Sequence, residues 1–437
     1  MEVSKPTFFG EVTLKLLPLL ALYIGYVMTH QLPHLRGDEF RYMANVQNIL
    51  HGFFASEETL MFWNGPGYPL YIAPFVALKL PLLVPRLGNS FFLFFAVLYF
   101  HASLKLMAVE KRTLAYAYGF GVLMLFHGAV MDMLFTESMC AFLICGSLYH
   151  FIKSVHCDHR CVLNLCLSGL MLAYLAWTKV FFGYVLEAAF LIALVTWILF
   201  YLFKNFQTDR IELRSTLQRV MALTGIALAL CLPYLAYTYK ITGKLHYWGN
   251  SGGVMLYCLS VPEKELVGDW LNFDTVRGSP EFFKHETDVF LEMAKLDYIA
   301  RDSAFKKLAM ENIKAHPKKF FWNWRANVNR LVFGFPVSPY PGSDLELKTG
   351  NRSFFYALPI LLFFFALIPG WLSRKAIPIE AHLVLFFALI SLGGLSLLSG
   401  IPRQVFPILP ILMFWTVLVF EKGVVISQPQ LLHFQND

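Results

Sequence analysis

The chain has 437 residues, of which 57% are hydrophobic and 15% charged, and its mean hydropathy is +0.55. These values exclude an ordinary soluble domain and predict an all-α, polytopic integral membrane protein of about ten spanning helices of about 20 residues with one large loop. The net charge of +7 is small and sorted by side, so it speaks of topology and predicts no nucleic-acid partner.

Apolar runs stand at about 12–29, 90–108, 114–131, 137–153, 162–178, 182–203, 218–239, 352–372, 378–398 and 402–420. The first lacks a small-residue cleavage site, so it is expected to be a retained helix. Basic clusters follow alternate runs, from Lys105 to Arg112, Lys153 to Arg160, Lys204 to Arg219, and at Arg374-Lys375. The positive-inside rule turns these to the cytoplasm and the acids Asp38, Glu39, Glu57, Glu58, Asp132 and Glu137 to the opposite face. That sorting requires residues 67–85 not to cross, although they are apolar. Pro69, Pro74, Pro81 and Pro85 interrupt the stretch, and each proline removes a helical hydrogen bond. A juxtamembrane or re-entrant helix is expected there.

Three parts follow: an N-terminal membrane module over 1–239 with its chemistry in the first outer loop (30–89), an extracytoplasmic helical loop over 240–351, and C-terminal membrane helices with a cytoplasmic tail over 352–437. In the loop, Ser279-Pro280-Glu281 predicts a helix start, with the helix running to His316-Pro317. Lys318 to Arg325 mixes aromatics with cations and belongs at headgroup level.

The seven cysteines suggest no disulfide framework. The run His156-Cys157-Asp158-His159-Arg160-Cys161 has no standard zinc spacing and reads as a solvated basic loop, and no metal or other cofactor is expected. Asn351-Arg352-Ser353 is a formal glycosylation sequon abutting a span.

Asp38 lies just beyond the first run, in Arg36-Gly37-Asp38-Glu39-Phe40-Arg41-Tyr42. An ordinary loop acid and a catalytic carboxylate both fit. Asp132 and Glu137 stand at the outer ends of two helices, where Glu137 also suits a helix dipole. Lys179 is a lone cation between two apolar runs, and Arg403 occupies a matching outer turn. Each could merely snorkel to the interface. Together, two outer cations and several outer acids make a phosphate site with a base nearby, because an anion at membrane depth needs a paired charge.

The ordered series Gly37-Asp38-Glu39-x-x-Tyr42, Trp63-Asn64-Gly65-Pro66-Gly67-Tyr68-Pro69-Leu70-Tyr71, Thr136-Glu137 and Trp177-Thr178-Lys179 resembles the GT-C membrane glycosyltransferases. The protein O-mannosyltransferases and lipid A aminoarabinose transferases are the most similar members. Thr242-Gly243-Lys244, Gly249 to Tyr257, and Pro402-Arg403-Gln404-Val405-Phe406-Pro407-Ile408-Leu409-Pro410 extend the likeness over nearly the whole chain. Pro66-Gly67 stands where the family has Pro-Pro, and Gln404 replaces a common Tyr.

The resemblance implies inverting transfer of a monosaccharide from a polyprenyl- or dolichyl-phosphate donor to a hydroxyl or phosphate of a protein, lipid or glycan, on the non-cytoplasmic face. Asp38 would be the base, assisted by Glu39, with Glu137 and Asp132 positioning sugar or acceptor. Lys179, Arg403 and Lys244 would hold the donor phosphate, and Tyr42, Trp63, Tyr68, Asn250 and Tyr257 would line the substrate site. A bacterial inner membrane is the expected location, or the endoplasmic reticulum in a eukaryote. The competing classes are a transporter or flippase of a lipid-linked sugar, and an inactive assembly subunit. A transporter would more often show internal repeats or mid-span charge, and neither is evident.

Overall fold

Long apolar runs in lipid must satisfy their backbone internally, and the described residues of this chain do so with helices. The computed structural model describes residues 10–55, 60–109, 112–126, 131–156, 160–202, 211–271, 273–336, 338, 352–398 and 400–423. Glu57, Glu58, Cys157, Asp158, His159, Lys204 and Asn351 lie outside the described residues.

The helices are α1 (Glu11–His30), α2 (Glu39–Leu50), α3 (Gly67–Ala77), α4 (Leu83–Leu106), α5 (Thr113–Phe126), α6 (Glu137–His156), α7 (Cys161–Thr178), α8 (Phe181–Leu202) and α9 (Ile211–Thr242). A second series follows: α10 (Gly252–Ser260), α11 (Phe273–Gly278), α12 (Lys284–Ala294), α13 (Tyr298–Ala315), α14 (Pro317–Phe333), α15 (Arg352–Leu372), α16 (Ile379–Ser396) and α17 (Leu409–Leu418). Short 3-10 turns, Pro402–Gln404 and Phe406–Ile408, lead into α17. No strand occurs among the described residues.

Among the described residues, eight segments are long and apolar enough to cross a membrane: α1, α4, α6, α7, α8, α9, α16 and Pro402–Gly423. The protein is therefore an all-helical, polytopic membrane protein. Of the two remaining expected runs, one forms the shorter apolar helix α5 and the other forms α15, 21 residues long. The apolar stretch before α4 yields α3, whose 11 residues reach about 16 Å, half a hydrocarbon core.

Polar contacts mark two ends of the bundle. At one, Tyr116 donates to Glu421 Oε1 at 2.5 Å, and His156 Nε2 lies 2.6 Å from Glu380 Oε1. His156, expected in a solvated loop, is thus engaged by the start of α16. Lys105, Arg112, Lys153, Arg160, Arg219, Arg374 and Lys375 all belong to helix ends on this side.

The other end is tied by a buried cluster. Arg86 on α4 and Glu39 on α2 are both fully buried, with Nη2 of Arg86 2.9 and 3.0 Å from the two Glu39 carboxylate oxygens. Glu39 also accepts from Leu134 N at 2.6 Å and Arg36 N at 2.7 Å, while Arg86 donates to Leu32 O and, at 3.1 Å, to His34 O. Every charge is met, which is what makes a buried pair tolerable. Alongside, Asn89 donates to Met133 O at 2.7 Å and its Oδ1 accepts from Tyr68 at 3.1 Å. Two clusters from distant sequence thus lock residues 31–39, 67–71 and 131–137 into one surface.

Helices α10 to α14 pack at that end around a separate core of Tyr257, Phe283, Phe290 and Phe305. The helix expected from 281 to 316 is broken. Phe282 and Phe283 donate to Ser279 O at 3.1 Å in a turn that buries Phe283, so α12 starts only at Lys284. A second break lies at 295–297, where Asp297 caps α13 by accepting from Ile299 N and Ala300 N at 2.8 and 2.9 Å. Pro317 opens α14, which leaves Phe321 and Trp322 more than half exposed.

Candidate active site

A cavity of about 210 Å³ opens at the Glu39–Arg86 end, walled by residues from seven stretches of the chain. A second cavity, of about 220 Å³, lies among α6, α8, α9 and α16 and is lined without any titratable group, so the chemistry belongs to the first.

Asp38 occupies the position just before α2, where an aspartate commonly caps the helix, yet its carboxylate makes no capping bond. Glu39 folds back to Arg36 N instead, and Asp38 is left free for the cavity. There it meets Arg403 Nη2 at 2.5 Å and also pairs with Arg41, one turn along α2. Burial alone would raise the Asp38 carboxyl, but the charges of Arg403 and Arg41 outweigh it and hold the group below its ordinary value.

Glu137 begins α6 and is 2% exposed. Its Oε1 accepts from Lys179 Nζ at 3.0 Å and lies 3.7 Å from Arg403 Nη1. Lys179 directly follows the C-terminal end of α7, its N–H donating to Leu175 O at 2.8 Å, so that helix end fixes where its side chain departs. Glu137 Oε2 and Gln404 Oε1, both on cavity-lining residues, are buried acceptors with no protein partner.

Two devices from distant sequence hold these groups. Asn327 on α14 accepts from Gly400 N at 2.6 Å and donates to Ser396 O at 2.8 Å, and Arg330 Nε donates to Gly400 O at 3.2 Å. The turn carrying Arg403 is therefore clamped by α14. Arg403 then stacks on Phe135, 4.5 Å from the ring centroid. On the opposite wall, Gly65 and Gly67 lie against the backbone just before Lys179. A Cβ on Gly65 would fall 1.9 Å from Trp177 O, and one on Gly67 2.5 Å from Thr178 Oγ1.

Of the expected site residues, Asp38, Tyr42, Trp63, Glu137, Lys179 and Arg403 line this cavity. The others do not. Glu39 is consumed by Arg86, and Asp132, 6% exposed, takes Arg36 Nη2 at 2.6 Å. Tyr68 is fully buried behind Tyr42, with ring centroids 5.2 Å apart. Asn250 holds the 60–62 segment, accepting from Phe62 N at 2.9 Å and donating to Leu60 O at 2.6 Å, and so sets Trp63 in place. Tyr257 belongs to the α10–α14 core, and Lys244 donates to Ser303 Oγ at 3.0 Å on the outside of it.

Sequence reasoning missed Arg41 and Trp270. Arg41 Cζ stands 5.0 Å over the Trp63 ring, and Trp270 packs edge-on to Trp63 at 5.6 Å. The three-residue spacing from Asp38 put Arg41 on the same helix face and could have found it. Burial raises the Tyr42 hydroxyl, keeping it a neutral donor.

Among the described residues, one group of His and Glu has metal-ligand proximity, Glu263, His285 and Glu286, and none of the three lines this cavity. No protein-family model matches the chain, and no curated protein matches it in sequence.

Proposed function

We propose that the protein is an inverting GT-C-type glycosyltransferase using a polyprenyl- or dolichyl-phosphate monosaccharide on the non-cytoplasmic face of its membrane. The observation that carries the reading is the Asp38–Arg403–Glu137–Lys179 constellation: two cations and two carboxylates converging in one cavity at the end of the bundle away from the basic clusters.

Transfer from a lipid phosphate requires an acceptor O–H to lose its proton as its oxygen bonds to the anomeric carbon. The bond from that carbon to the phosphate oxygen breaks, and its electron pair leaves on the phosphate. Asp38 takes the proton. Arg403 and Lys179 neutralise the departing phosphate, a contribution of charge placed where charge develops. Glu137 Oε2, buried and without a partner, is suited to accept a sugar or acceptor hydroxyl. Trp63 and Trp270 supply apolar faces for a sugar ring.

Without donor, Asp38 and Glu137 occupy the two cations. A phosphate entering the cavity competes for Arg403, and the loss of that partner raises the Asp38 carboxyl, making it a better base once the donor is bound.

The test is donor turnover by the purified protein in lipid nanodiscs, with polyprenyl-phosphate sugars as substrates, preceded by mass spectrometry of copurifying lipids to choose the sugar. Release of polyprenyl phosphate by the native chain and its loss in Asp38→Asn supports the reading. Donor binding with no turnover under any acceptor, and unchanged lipid movement across the bilayer in Asp38→Asn, would point to transport.

A further inference from the structure

Beyond the cavity, the α10–α14 unit holds a second titratable cluster that the proposed transfer does not use. Glu263 follows α10, and His285 and Glu286 stand in the first turn of α12. His285 Nδ1 lies 3.5 Å from Glu263 Oε1 and 3.7 Å from Glu286 Oε1, and one ligand atom from each residue falls within 4.8 Å of the others. Both separations are too long for good hydrogen bonds. They match the spacing of about 3.4 Å that tetrahedral ligands have around an ion at about 2.1 Å.

Glu286 is 2% exposed, and neither its Oε1 nor Glu263 Oε2 accepts from a donor elsewhere in the chain, although the two carboxyl groups lie within reach of one another. Tyr257, 1% exposed, has an unpartnered hydroxyl within electrostatic reach of both carboxyl groups. Lys319 feels the Glu263 charge, but its ammonium donates to Leu266 O at 2.7 Å. A buried carboxylate next to a second, partly exposed one is costly, and a divalent cation removes that cost. His285 is more than half exposed and leaves a way in from solvent.

We propose that Glu263, His285 and Glu286 bind one divalent transition-metal ion of the zinc type, with the Tyr257 hydroxyl or a water as further ligand. One imidazole with two carboxylates suits zinc or manganese better than calcium, which takes six or more oxygens. The ion ties the end of α10 to the start of α12. Since α10 reaches the cavity through Met255, it steadies one wall of that cavity without entering it.

Full-length protein in detergent, stripped with EDTA and dialysed against zinc chloride, is expected to retain one equivalent of zinc by elemental analysis and to unfold at a higher temperature than the stripped form. His285→Ala and Glu286→Gln should each weaken zinc binding at least about tenfold in calorimetric titration and abolish the thermal shift. His246→Ala, which removes an exposed histidine 3.5 Å from Glu187, should leave both unchanged. Should Glu286→Gln fail to give monodisperse protein, Glu263→Gln, at a partly exposed position, provides the same reading. Equal zinc retention in the native chain, His285→Ala and Glu263→Gln, or no retention in any, overturns the site and leaves a carboxyl pair sharing a proton. Neither readout depends on sugar transfer, so this proposal and the proposed activity fail independently.

Discussion

Arg403 and Asp38 are 365 residues apart in the chain and meet at 2.5 Å. Arg403 also lies 3.7 Å from Glu137, so a single guanidinium joins the loop before α2, the start of α6 and the turn before α17. If Asp38 is the base, Asp38→Asn should lower turnover about 10²-fold or more. Because Arg403 and Arg41 are then released from their carboxylate, donor binding should stay equal or tighten. Measured as single-turnover rate and donor affinity separately, near-normal turnover ends Asp38's candidacy.

Lys179 and Arg403 share Glu137 and, in the proposed reaction, one phosphate. Lys179→Ala and Arg403→Ala should each cost about 2–5 kcal/mol in donor binding or transition-state energy. The double variant should lose less than the sum, because neighbours around one anion couple. Lys153→Ala, at the opposite end of the bundle, should have no effect. Fully additive losses would show that the two cations serve separate sites.

The position of Asp38 between two arginines has a pH signature. Its carboxyl is lowered in the folded chain, so its stabilising contribution is complete above the unfolded value near 3.8 and is lost as pH falls through the lower folded value. The acid limb of kcat/KM for the free enzyme should therefore lie below that ordinary value. Arg41→Ala removes one stabilising charge and should move the limb upward. A limb unmoved by Arg41→Ala would assign it to another group.

The Glu39–Arg86 pair gives a stability prediction. Glu39→Gln or Arg86→Met leaves one fully buried charge unmatched and should cost about 3–5 kcal/mol, read from thermal unfolding in detergent. The double change should recover part of that loss. If each single variant is as stable as the native chain, the pair is not what fixes the loop surface.

Much of this architecture was written in local pattern. The apolar runs and prolines marked most of the helices and the short α3. Glu39 shows where local pattern stops. Adjacent acids at 38 and 39 look equivalent in sequence, and only Arg86, 47 positions away, decides that one is sealed in the interior while its neighbour faces the cavity. Asn250 and Tyr257 stand away from the cavity for reasons equally hidden in local pattern. Their neighbours 60–62 and 290–305 are distant in sequence, and a polar residue near a motif carries no sign of whether it holds backbone or substrate. The breaks at 279–283 and 295–297 were hidden because Phe283 is driven by its burial in a core that no single helix period reveals.

Sidedness is open to direct measurement. In a cysteine-free background, cysteine at Glu281 should react with an impermeant reagent from the non-cytoplasmic side, and cysteine at Lys375 only from the cytoplasm. Both positions are exposed. The reverse pattern would turn the cavity inward and remove the proposed donor orientation.

The approach of Gly67 to the end of α7 makes position 67 a fixed point in sequence space. A Cβ there would fall 2.5 Å from the Thr178 hydroxyl and also 2.9 Å from Thr178 N and 3.0 Å from Trp177 C. Trimming the side chain at 178 removes only the first of these contacts, so no exchange at 178 alone admits a larger residue at 67. Relatives that share this wall should therefore keep glycine at 67 whatever stands at 178.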